Sequence, residues 1–95
     1  MDDIQRKILL DAANLIESNG WYNSNTMTCP TEAVCAYVAI ARCSQPYEGQ
    51  WQNYWRGVQR IFINFIGETD VIAWNDHQIN GDVVIKALRD CAEQA

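Results

Sequence analysis

The residues best equipped for chemistry are four cysteines, Cys29, Cys35, Cys43 and Cys91, and one histidine, His77, which follows Asn75 and Asp76. A thiol becomes a useful nucleophile when a helix N-terminus or a neighbouring imidazole favours its thiolate. Cys29 stands just before Pro30, a residue suited to the first helical position, and Cys35 lies deeper in the same segment. With His77 as base and Asn75 or Asp76 orienting it, either cysteine would complete a Cys-His-Asx arrangement. The plainer reading makes Cys35 and Cys91 core residues and His77 a solvated loop residue. Such residue types recur in most small proteins without acting together, so no catalytic residue is assigned.

A metal centre is not expected either. Structural zinc asks for short, regular ligand spacings of the C-x2-C or H-x3-H kind, and these residues stand at irregular intervals. Cys35 and Cys43 fall eight residues apart on one predicted helix, which separates their α-carbons by roughly 12 Å. A disulfide needs less than about 7 Å. Free thiols acting as small hydrophobes suit a reduced, cytoplasmic compartment, and no cofactor is expected.

Two further constellations concern binding. Arg42 interrupts an apolar run and, if buried, requires a carboxylate such as Asp70 or Asp76. Arg42, Trp74, Asn75 and Asp76 therefore outline either a structural Arg–Asp pair or a pocket for a small ligand or nucleotide. The structural alternative for the last three is a core-anchoring Trp74 beside turn-forming Asn75 and Asp76. Trp21, Tyr22, Tyr47 and Trp51 lie in or beside predicted loops, where aromatic residues are typical of partner-binding surfaces.

The elements that position these groups are helical. Ile4, Ile8, Ala12, Leu15 and Ile16 share one face of a helix running from about Asp2 to Ser18, with Asn19-Gly20 as its stop. Trp21 to Thr28 reads as a loop. Pro30 and Glu32 then suit the first turn of a second helix, whose AVCAYVAIARC run is apolar nearly all round and predicts a central position. Ser44-Gln45-Pro46 breaks it. From Trp51 to Ile66, eight large apolar residues including Trp55, Val58, Phe62 and Phe65 fall within about 140° of the helical wheel. Residues 68–77 predict either a helical turn or a short extended segment. A last helix begins near Asn80-Gly81-Asp82 and buries Val83, Val84, Ala87, Leu88 and Cys91. No run alternates with a period of two, so the expected fold is all-α, four main helices around the second, in one domain over residues 1–95.

Composition bounds the partners. A chain of 95 residues, 48% hydrophobic and 20% charged, can fold around one core without staples. Its formal net charge of −5, with seven dispersed basic residues, offers no cationic stripe for a nucleic-acid backbone. The charged, amphipathic N-terminal segment does not read as a signal peptide, and no apolar stretch approaches the ~20 residues of a membrane span.

The chain resembles a family of small bacterial and phage proteins of unknown function, known best from actinobacteria. The likeness rests on Asn19-Gly20-Trp21, on the cysteine-led helix with Cys35, Ala36 and Ile40, on Ile72-Ala73-Trp74-Asn75-Asp76, and on the closing Val83–Arg89 segment. Relatives often place a cysteine after Gly-Trp, where this chain has Tyr22, and a glycine where it has Tyr37-Val38. The resemblance implies a helical fold and a prokaryotic or phage setting. The expected function is that of a small acidic interaction protein acting on another protein, such as an inhibitor of a host or defence protein. A homodimer, a small-ligand module and a cysteine-dependent enzyme are the alternatives.

Overall fold

The computed structural model describes residues 1–22, 33–49 and 53–94. Helix α1 (Asp3–Asn19) opens on a capping box, in which Asp2 Oδ1 accepts the Gln5 N–H at 2.7 Å and Gln5 Oε1 accepts the Asp2 N–H at 2.9 Å. Its buried face is Ile8, Leu9, Ala12, Ala13 and Ile16. It stops at Gly20, whose φ of 99° strains any side-chain-bearing residue and whose N–H reaches Ile16 O.

Beyond Gly20 the backbone straightens and pairs in parallel with a distant segment, through a Trp21–Val34 bridge. Val34 donates to Gly20 O at 3.0 Å and accepts from the Tyr22 N–H at 3.1 Å. This bridge corrects the expected start of the second helix. With Val34 in the bridge and Cys35 extended, α2 begins only at Ala36 and runs to Ser44. Pro30 and Glu32, its expected first turn, lie outside the described residues. Ala36, Ala39, Ile40 and Ser44 are buried in α2, and Arg42 is exposed. A 3-10 turn over Gln45–Tyr47 follows, with Pro46 inside it.

Helix α3 (Tyr54–Ile66) starts three residues later than expected, because Asn53 is its cap and Oδ1 accepts the Arg56 N–H at 3.3 Å. Its apolar stripe is wider than the surface it covers. Val58 and Phe62 are fully buried, Tyr54, Trp55, Ile61 and Ile66 are half-buried, and Phe65 is exposed. Gly67 closes the helix in the left-handed conformation.

The undecided 68–77 segment is helical: α4 (Val71–Asp76) is capped by Asp70, whose Oδ1 accepts the Ile72 N–H at 2.9 Å. Helix α5 (Gly81–Ala92) is capped by Asn80 and buries Val84, Ile85, Leu88, Cys91 and Ala92. Val83, expected on that face, is exposed, since the face centres between the Val84 and Ile85 rows and Val83 falls about 100° outside it.

The result is an all-α bundle of four main helices and the short α4. Helix α1 packs most extensively on α5 and next on α2, while α2 also touches α3, α4 and the 3-10 turn. No β-strand occurs among the described residues, and none of their helices is long and apolar enough to cross a membrane.

Candidate functional site

Cys35, Cys43 and Cys91 are free thiols. Cys35 is the cap of α2, and its Sγ accepts the Val38 N–H at 3.4 Å. Burial pushes Cys91 and Cys43 up to about 11, which disfavours the thiolate in both. His77 is the exposed end of α4, and among the described residues its ring makes no hydrogen bond or ion pair. Cys29 lies outside the described residues. No group of metal-ligating side chains is assembled among those described.

Asn75 does come to the start of α2, but its amide holds backbone and indole rather than an imidazole. Fully buried, it accepts at Oδ1 from Trp21 Nε1 at 2.8 Å and from the Ala36 N–H at 3.0 Å, and donates from Nδ2 to Tyr22 O at 2.9 Å. One side chain thus fastens the bridge segment, the first turn of α2 and α4 together. Trp74 beside it meets Phe62 edge to face, with centroids 5.2 Å apart. Arg42 sits near the other end of α2, six residues and about 9 Å along the axis from Ala36. Being exposed, it needs no carboxylate partner, and Asp70 is engaged as the α4 cap. Asp76 is half-buried at the end of α4.

The aromatic candidates divide. Trp21 is half-buried and locked: beyond its bond to Asn75, it lies so close to Gly81 that an added Cβ there would stand 2.6 Å from the Trp21 Cβ. Tyr22 is half-buried, with its backbone N–H donating to Val34 and its carbonyl accepting from Asn75. Tyr47 belongs elsewhere, on the 3-10 turn, edge to face with Tyr54 at 6.2 Å. Trp51 lies outside the described residues.

Around Tyr47 the fold assembles a surface that spacing alone did not indicate. Tyr37, Ala41, Gln45, Glu48 and Trp55 line an open groove of about 320 Å³ between α2, the 3-10 turn and α3. Tyr37 and Trp55 form one wall, edge to face at 5.8 Å. The Glu48 carboxylate is committed to the N-terminus of α3, accepting from Tyr54 N at 3.2 Å and Trp55 N at 2.9 Å. The Arg56 guanidinium lies over the Trp55 ring, 5.5 Å from its centroid. One turn after Trp55, Gln59 is buried and donates from Nε2 to Tyr37 O at 3.0 Å, while its Oε1 has no hydrogen-bond partner among the described residues.

Charge is distributed unevenly over these elements. The four cations of α1 and α5 are each paired: Arg6 with Asp3, Lys7 with Asp11, Lys86 with Asp90 and Arg89 with Glu17. Helices α2 and α3 carry Arg42, Arg56 and Arg60 and no carboxylate. All three are exposed, and none makes an ion pair among the described residues. The signal was present in the sequence as two acid-free stretches, 33–47 and 49–67, separated by the single Glu48.

The chain belongs to a family of unknown function (DUF6197), whose model matches residues 2–94. No curated protein and no solved structure matches it.

Proposed function

We propose that this member of the family is a non-enzymatic interaction protein that docks on another protein through the corner formed by α2, the 3-10 turn and α3. The observation that carries this reading is the gathering of half-exposed Tyr37, Tyr47, Tyr54 and Trp55, with the Arg56 guanidinium over the Trp55 ring and, like Arg42 and Arg60, in no ion pair among the described residues. Tyr, Trp and Arg dominate the energetics of protein interfaces because they bury large area and retain polar atoms for the partner. The groove is open, with half-exposed walls, so it suits an inserted side chain better than an enclosed small ligand. The setting we propose is cytoplasmic, as an accessory protein of a bacterium or phage that acts on a host or defence protein.

The test is capture from a host lysate with tagged wild-type chain and with a Tyr37→Ser/Trp55→Ala variant of unchanged helical circular dichroism. Loss of a specific partner in the variant is the expected result. Equal capture by both proteins would sink the reading. A second copy of the chain as partner would instead appear as a concentration-dependent dimer in sizing, abolished by the same substitutions.

A further inference from the structure

The charge map specifies what chemistry the partner brings. We infer that the α2–α3 groove receives an acidic peptide segment carrying an apolar anchor side chain, an inference that rests on the interaction reading above. The anchor would enter between Tyr37, Ala41 and Trp55, the side chains that give the groove its apolar lining. The carboxylates would meet Arg56 and Arg60, which are four residues apart and so share one exposed stripe of α3, one turn spaced. Arg56 is already held against Trp55, so part of the entropy of ordering its long side chain is lost before binding. Arg42, exposed on α2, is the third cation of these two helices.

Two features sharpen the complementarity. Among the described residues Glu48 is the one carboxylate lining the groove, and both of its oxygens accept from backbone N–H groups of α3, which offsets its repulsion of an incoming acid. The cations of α1 and α5 have partners within the fold, whereas those of α2 and α3 make no ion pair among the described residues. A nucleic acid is less suited to the same face. Three cations on a chain of net charge −5 release few counterions, and the acidic remainder repels a long phosphate backbone. A short acidic segment touches only the local positive patch, within a Debye length of about 10 Å at moderate salt.

The experiment is a titration of the full-length, isotope-labelled chain followed by backbone amide shifts. Three probes are compared: a short synthetic peptide of glutamates around a leucine-tryptophan anchor, its glutamine counterpart, and oligothymidylate. The acidic peptide should shift the amides of Tyr37, Ala41, Gln45, Trp55 and Arg56, and bind about tenfold more tightly than the glutamine peptide. Its affinity should fall severalfold as salt rises toward about 0.3 M, and about tenfold in an Arg56→Glu/Arg60→Glu variant that melts normally. An Arg60→Glu single variant, which leaves the Arg56–Trp55 contact in place, should show part of that loss. Equal affinity for the two peptides would overturn the acidic chemistry while leaving docking at the groove intact. Oligothymidylate binding more tightly than the acidic peptide, or no shift at the groove with either peptide, would also overturn the inference. Lysate capture judges the interaction reading separately, so the two can fail independently.

Discussion

Two buried amides and two aromatic clusters set the Trp21–Asn75 junction against the Tyr37–Trp55 corner. At the junction every group is committed. Asn75 makes three hydrogen bonds, and the Trp21 indole is bonded by its N–H and pressed against Gly81. At the corner, the rings of Tyr37 and Trp55 stay half-exposed, and among the described residues Gln59 Oε1 has no hydrogen-bond partner and Arg56 no carboxylate. Half-exposed rings and an exposed guanidinium are groups a partner can reach, which the buried amides are not. On the proposed reading, the difference separates aromatics that serve folding from aromatics left over for binding.

The comparison can be broken most forcefully at the junction. Asn75→Ala would strand Trp21 Nε1, the Ala36 N–H and Tyr22 O, and should lower stability by about 3 kcal/mol in urea unfolding. A loss below about 1 kcal/mol would show that the amide is not the fastener described. Gly81→Ala drives a methyl into the Trp21 Cβ, which sits too near the backbone to swing aside. About 2 kcal/mol of destabilisation is expected, although alanine is the better helix former.

At the corner the order of effects should reverse. Trp55→Ala is expected to cost only about 1 kcal/mol, since the ring is half-exposed, while abolishing partner capture. Smallest of all, Gln59→Met removes the unpaired oxygen along with one side-chain bond to Tyr37 O. Its stability should stay within about 0.5 kcal/mol of wild type, or rise. A large loss there would mean that the amide has a structural duty like that of Asn75.

Thiol chemistry gives a pH test of the same division. In a Cys29→Ser background, Cys43 and Cys91 should react slowly with a disulfide reagent near neutral pH and faster as pH approaches about 11. The sign follows from burial. A thiol whose folded pKa is raised above its unfolded value contributes stability that is fully present below the unfolded value. That contribution is lost as pH rises toward the folded one. Stability should therefore decline across the alkaline range from about 9 to about 11. Rapid labelling at neutral pH would instead revive an activated cysteine.

Much of the fold was legible because helical periodicity is a local signal. The α1 face, the Gly20 stop and the Asn80 cap all follow from residues within a turn of one another. The late start of α2 was not, since it depends on Val34 pairing with Gly20 and Tyr22, which stand 14 and 12 residues earlier in the sequence. The role of Asn75 was half-visible. Its type suggested backbone hydrogen bonding, but its partners lie 39 to 54 residues away in sequence. Trp21 and Tyr22 follow a helix stop in the sequence, and only the three-dimensional fold shows that the Trp21 indole and the Tyr22 backbone are tied to Asn75. The corner escaped notice for the opposite reason. Tyr37 and Trp55 looked like core on a helical wheel, and a wheel cannot show that the apolar stripe outruns the surface available to cover it.

Hydroxyl-radical footprinting of the aromatic side chains, with and without the captured partner, tests the central claim most directly. The account predicts that Tyr37 and Trp55 are oxidised readily in the free protein and protected in the complex, while Trp21 changes little. Protection of Trp21 and Tyr22 with Trp55 still reactive would contradict it, and would place the binding surface at the junction instead.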